Sequence, residues 1–196
     1  QNMHLMRAES PGPMVGKLMP KLRSTPMILY AIYFGLTVIE IILLIIGKMP
    51  VFDAILNSMA TAGTGGFSMS NAGMTIYNTY CQLVISIFMI LFGVNFNIYF
   101  LILGKKIKKA FKNEEVRCYL AIIFLATIVI AFNIRSYYSS FFMALHHSLF
   151  QVASIMTTTG FSSVNFNLWP QLSKTILLIL MFIGACAGST GGGIKV

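Results

Sequence analysis

Thr64-Gly-Gly-Phe-Ser68 returns as Thr158-Thr-Gly-Phe-Ser162, an offset of 94 from position 64 to position 158. Each copy follows an apolar run of about half a membrane thickness and stands between two runs long enough to cross a bilayer. Self-similarity at a fixed interval constrains a fold more tightly than any single motif. Met27 to Ile46 is the first long run, and ~20 helical residues span about 30 Å, the hydrocarbon thickness. Gly47, Lys48 and Pro50 end it. Val51 to Ala62 reaches only about 18 Å, so it can enter a bilayer and turn back but not cross. Asp53 suits the N-terminal end of such a half-helix. Thr79 to Leu103 reads as the next span, and a third runs from Arg117 to about Asn133 or Ile134. Phe141 to Met156 is again of half length, with Ser139 and Ser140 as candidate caps. The last span begins near Leu172, stays apolar to Ala187 and breaks into Gly188-Ser-Thr-Gly-Gly-Gly193.

The expected fold is therefore all-α and integral to the membrane. Two tandem, parallel helix–pore-helix–helix units carry re-entrant loops. Their bounds are a connector at 1–26, a first unit at 27–104, a basic linker at 105–116 and a second unit at 117–196. Composition agrees, with 57% apolar and 10% charged residues, against roughly 25% charged in a soluble domain. Both ends read as cuts through a longer protein.

The net charge of +9 raises nucleic acid as a partner, but the charges avoid the apolar runs and gather in the connections. Placing Lys105, Lys106, Lys108, Lys109 and Lys112 inside also puts Arg7, Lys17, Lys21, Arg23, Arg117 and Lys195 inside, as the positive-inside rule expects. Only Lys48, Arg135 and Lys174 remain outside. The N-terminus, the 105–116 linker and the C-terminus are then cytoplasmic. The basic run meets lipid headgroups or a cytoplasmic partner rather than nucleic acid. Cys81, Cys118 and Cys186 show no metal-ligand spacing and read as small buried hydrophobes.

Irregular backbone at membrane depth is tolerated only where protein buries it or where it lines a watery path. Two such loops at matched positions imply a pathway. A half-helix ending at mid-membrane aims its negative end there and favours a cation. Gly65, Gly66 and Gly160 permit conformations closed to other residues, so carbonyl oxygens can replace an ion's hydration shell. Neither loop holds a carboxylate, which excludes a site built for divalent cations.

These loops resemble the filter segments of the Trk/Ktr/HKT potassium transporters. Cys186-Ala-Gly-Ser-Thr-Gly-Gly-Gly-Ile-Lys195 resembles the broken second helix of that family's third repeat. Arg7-Ala-Glu-Ser-Pro-Gly-Pro13 resembles the connector into the second repeat, in the bacterial Trk-type branch. The resemblance covers nearly the whole chain. It implies K⁺ uptake across the bacterial inner membrane, with K⁺ held by the carbonyls of Thr64, Gly65, Gly66, Thr158, Thr159 and Gly160. Phe67 and Phe161 would pack behind the filter. Gly188, Ser189, Thr190, Gly191, Gly192 and Gly193 would form an intramembrane gating loop. The implied partners are two further repeats around one pore, a cytosolic nucleotide-binding regulatory subunit and a second copy in a homodimer. No cofactor is implied in this chain.

Glu40, inside the first span, is either a cation-attracting group or a structural partner. Asn95 and Asn97 are either polar glue between helices or cavity lining. His146 and His147 read as packing or polar contacts, and Trp169 as an interfacial anchor. Three alternatives stand beside the pore. A broken-helix secondary transporter would favour inverted repeats. An intramembrane enzyme would need a nucleophile and a base. His146 or His147 with Ser162 could be drawn, but Phe52 and Asp53 fill the histidine positions in the other copy. No nucleophile–base constellation or phosphate-cradling loop supports catalysis, so the chain reads as a non-enzyme. The last alternative is a fragment that only completes a larger assembly.

Overall fold

A computed structural model of the protein describes residues 24–70, 72–104 and 113–195. Most of the 1–26 connector and the lysines at 105–112 lie outside the described residues. The order is α1 (Ser24–Ile46), α2 (Val51–Ala62), α3 (Thr79–Phe92), α4 (Phe96–Leu103), α5 (Glu114–Asn133), α6 (Phe141–Met156) and α7 (Gln171–Phe182). Among the described residues the only pairing of extended backbone is one bridge, Ile183 with Ile194. The fold is all-α, as expected, and α1 and α5 are long and apolar enough to cross a bilayer, while α2, α6 and α7 are shorter.

Local chemistry explains the boundaries. At the end of α1 the Met49 amide donates to Leu44 O at 3.1 Å and the Lys48 amide to Ile45 O at 2.9 Å. These are the paired bonds of a Schellman motif, with Lys48 in the left-handed position at φ 65°. Asn78 caps α3 by accepting from the Cys81 amide at 2.8 Å, while its Nδ2 donates to Gly47 O at 2.8 Å. One side chain thereby starts α3 and ties it to the end of α1. Ser140 caps α6 by accepting from the Phe142 amide at 3.3 Å. Asn113 caps α5 by accepting from the Val116 amide at 3.3 Å. That cap starts the helix at Glu114, three residues before Arg117, so the last residues of the expected linker are helical.

The span expected at Thr79–Leu103 is broken. α3 and α4 meet at 89° across Gly93–Asn95, and α4 runs back onto α1. Such a break exposes carbonyls that must find partners at membrane depth. All four do. Tyr119 OH donates to Ile90 O at 3.2 Å and Tyr99 OH to Leu91 O at 2.7 Å. Phe92 O accepts from Thr190 Oγ1 at 3.2 Å, and Gly93 O from the Cys186 amide at 3.1 Å. Asn95 Oδ1 then caps α4 by accepting from the Asn97 amide at 3.0 Å.

The last span also ends early. α7 stops at Phe182 rather than Ala187, because Gly184 and Ile194 pair their backbones at 2.6 Å and pull the chain into a loop over Ile183–Lys195.

Each unit packs its two long elements around its half-helix, and α6 also contacts α3 of the first unit. Two apolar cores result. One joins Tyr119, Ile130, Val152, Met156, Leu177 and Leu180. Trp169 belongs to it and is 4% exposed, its Nε1 donating to Tyr138 OH at 3.3 Å. It is a core residue, not the expected interfacial anchor, because half-buried Tyr138 gives its one donor a partner within the protein. The other core joins Leu44, Met74, Ile85, Met89 and Phe92 with Phe150, Ala153 and Phe161 of the second unit. Cys81 and Cys186 are buried as expected; Cys118 is exposed on the outer face of α5.

Candidate functional site

The C-terminal ends of α2 and α6 converge. Both end in a Schellman motif whose left-handed residue is a threonine. In α2 the Gly65 amide donates to Ala60 O at 2.7 Å and the Thr64 amide to Thr61 O at 3.1 Å. In α6 the Thr159 amide donates to Ser154 O at 2.9 Å and the Thr158 amide to Ile155 O at 3.0 Å. Thr64 has φ 50° and Thr158 φ 59°, and two residues on, Gly66 has φ 66° and Gly160 φ 90°. The two loops thus share a backbone form as well as a sequence. Glycine normally holds the position that threonine takes here, and a β-branched residue there is a strained outlier.

The strain places two hydroxyls. Thr64 Oγ1 donates to Thr190 O at 3.2 Å, and Thr158 Oγ1 accepts from the Gly192 amide at 2.7 Å. The Ile183–Lys195 loop therefore hangs from both filter candidates at once. It also holds the break in the other unit, through the Phe92 and Gly93 carbonyls and the Phe96 amide, which donates to Gly188 O at 3.1 Å. Gly188 and Gly193 take φ 71° and 80°, and Gly191 and Gly192 lie against Thr157 and Thr158. Lys195 Nζ donates to Gly191 O, and Ser189 Oγ to Cys186 O at 2.6 Å.

The filter candidates touch directly. A Cβ on Gly66 would lie 1.9 Å from Thr159 O. Gly65 needs no left-handed backbone, and its counterpart Thr159 carries a side chain, so only Gly66 and Gly160 require glycine. The Met74 amide donates to Ser162 O at 2.9 Å, which seats the Gly73–Ile76 turn of the first unit on the second candidate loop. Ser154 Oγ donates to Phe161 O at 2.6 Å and turns that carbonyl back toward α6. Phe161 is buried, as expected. Phe67 lies beside Gly65 but is 84% exposed: Phe161 has the first unit's core to enter, whereas no described residue covers Phe67.

Glu40 is fully buried on α1. Its carboxylate nears Thr61 but makes no hydrogen bond among the described residues, and the Thr61 hydroxyl donates instead to Asn57 O at 2.8 Å. His146 Nε2 pairs with Gln82 Oε1 at 3.0 Å and His147 Nδ1 with Ser163 Oγ at 3.4 Å. Both are polar contacts, as expected, although the two rings also touch edge to face. Asn95 acts as glue. It caps α4, and its Nδ2 donates to Glu115 Oε2 at 3.4 Å. Glu115 itself was not visible as a site residue. Its other oxygen accepts from the Ala187 amide. The only available signal was an acidic pair, Glu114-Glu115, closing a basic run.

A family model for TrkH, a cation transport protein, matches residues 1–196. The Trk system potassium uptake protein TrkH of Escherichia coli K12 is 37% identical over 99% of this chain, and the match covers 41% of that relative. The Trk system potassium uptake protein TrkG of the same strain is 33% identical over 97% of this chain and 40% of its own length. The crystal structure of the potassium transporter TrkH from Vibrio parahaemolyticus superposes with a TM-score of 0.83 at 33% identity. That match covers 91% of this chain and 40% of the other. The chain thus spans about two fifths of the length of the relatives it matches.

Proposed function

The chain belongs to the TrkH family of cation transport proteins, and on that premise we propose that it forms two of the repeats lining a potassium-uptake pore in the bacterial inner membrane. One observation carries the reading: the paired α2 and α6 ends present the same threonine–glycine backbone at one point. Half-helix C-termini aim negative dipole ends there. The carbonyls of Thr64, Gly65, Gly66, Thr158, Thr159 and Gly160 are the proposed ligands, in the manner of filters that replace a hydration shell. The Gly188–Gly193 segment is the proposed gate, because it hangs from Thr64 and Thr158. K⁺ is cargo here, and the family's work is transport rather than catalysis.

The further repeats have a place to sit. Phe150, Ala153 and Phe161 carry the second unit into the core of the first. Their counterparts 94 positions earlier are Leu56, Met59 and Phe67. Met59 is 58% exposed and Phe67 84%. A preceding repeat of the same kind would cover them as the first unit covers Phe161. A cytosolic nucleotide-binding subunit and a second copy of the protein complete the proposed assembly, with the N-terminus, the 105–116 linker and the C-terminus facing the cytoplasm.

The test is uptake of radioactive rubidium into liposomes carrying the assembled transporter, competed with K⁺ or Na⁺. K⁺ should block far better than Na⁺, and Gly66→Ser, whose Cβ would meet Thr159 O, should abolish the difference. Uptake indifferent to Gly66 would remove these loops from the pathway.

A further inference from the structure

Peptide groups released by a broken helix need partners wherever water is scarce. The loop after α7 finds most of its partners in neutral groups: the two filter threonines, the carbonyls at the α3–α4 break, and its own backbone. Two partners are charged. Lys195 serves the loop's far end, where its Nζ donates to Gly191 O and Gly192 O. Glu115 serves its entrance and is the one carboxylate among the described residues that reaches it.

Glu115 sits in the first turn of α5, where Asn113 fixes that turn. One carboxylate oxygen accepts from the Ala187 amide of the loop, and the other accepts from Asn95 Nδ2 at 3.4 Å. Asn95 stands at the α3–α4 break, and its amide oxygen is 3.2 Å from where a Cβ on Gly188 would be. A single side chain thus joins the helix breaks of both units to the beginning of a third element. A bond to a charged acceptor is about twice as strong as its neutral equivalent.

We propose that Glu115 is a positioning residue that fastens the intramembrane loop in its place under the filter loops, by holding the Ala187 amide and the Asn95 amide with its two oxygens. The proposal rests on the transport reading only for what the loop does, not for what holds it. It also gives the loop a mechanical address. α5 begins directly after the basic linker, so any displacement of its first turn acts on the loop entrance and on the α3–α4 break together.

Glu115→Gln keeps the side chain's shape but offers one acceptor oxygen to two donors, and it removes the charge. The loop should then detach more often, by roughly tenfold, the factor carried by one charge-assisted hydrogen bond. Cys186 reports this directly, since it adjoins Ala187 and is fully buried. In assembled transporter with Cys81 and Cys118 replaced by serine, a small methanethiosulfonate reagent should modify Cys186 about tenfold faster in Glu115→Gln than in the parent. Glu115→Asp should restore most of the protection. Asn95→Ala should quicken modification and add little on top of Glu115→Gln, because both cut the same tie. Rubidium flux should rise in Glu115→Gln with K⁺ over Na⁺ preference unchanged. Modification that does not quicken in Glu115→Gln or in Asn95→Ala overturns the fastener. Quickened modification with unaltered flux leaves the fastener standing and removes the loop's role as a gate.

Discussion

Gly66 and Gly160 occupy matched positions, but an alanine would meet different surroundings at each. At Gly66 the added Cβ would lie 1.9 Å from Thr159 O, so the two proposed filter loops must part. At Gly160 a Cβ meets nothing within 4 Å, and the only penalty is the φ of 90°, on the order of 1–2 kcal/mol for an L-residue. Gly66→Ala should therefore abolish K⁺ over Na⁺ discrimination and lower the melting temperature sharply. Gly160→Ala should fold with a loss of about 1–2 kcal/mol and only blur discrimination. Competed rubidium uptake with melting curves for both variants checks this; equal damage would mean that the contact between loops is not what shapes the filter. The repeated Thr–x–Gly pattern was legible in the sequence because one backbone requirement had been met twice. Contact between the loops was not legible, since spacing along a chain says nothing of approach across it. For the same reason Glu115 was hidden: its partners are Asn95, 20 residues before it, and Ala187, 72 after it.

At the scale of an element, three helix ends use the same unusual device. α1, α2 and α6 finish with Lys48, Thr64 and Thr158 in the left-handed position where glycine is usual. Lys48 is exposed, and among the described residues its side chain makes no hydrogen bond. Lys48→Gly should thus relieve about 1 kcal/mol of backbone strain, raising the melting temperature by a few degrees without altering flux. Thr64→Gly should relieve similar strain but remove the hydroxyl that holds Thr190 O, so its flux should change. Melting curves and uptake measured on the pair separate the two cases. A change of flux in Lys48→Gly would show that the strain at α1 also matters to the pathway. Helix lengths and starts were mostly readable, through Ser140 before Phe141 and the breakers after Ile46. The α3–α4 break was not, because the run from Thr79 to Leu103 stays apolar through Gly93. The repeat offered a clue all the same: Gly93-Val-Asn95 falls opposite Ala187-Gly-Ser189, inside the break of the second copy.

For the whole molecule, the second unit enters the core of the first through Phe150, Ala153 and Phe161, and the matching face of the first unit makes the same demand. Phe161 is 2% exposed inside the first unit's core, and Phe67, its counterpart, is 84% exposed. Truncating a buried phenylalanine costs about 3–5 kcal/mol, whereas truncating an exposed one typically costs under about 0.5 kcal/mol. In the assembled transporter the two should cost alike, because a preceding repeat seated on Leu56, Met59 and Phe67 would bury Phe67 as the first unit buries Phe161. Phe67→Ala and Phe161→Ala should each lower the melting temperature of the assembled protein by similar, large amounts. Phe67→Cys should resist a water-soluble thiol reagent there as Phe161→Cys does. If Phe67→Ala is nearly silent and Phe67→Cys reacts freely in the assembly, no repeat occupies that face. The apolar surface around Met59 and Phe67 would then be facing lipid or another protein, and a ring of repeats around a single pore would have to be closed in some other way.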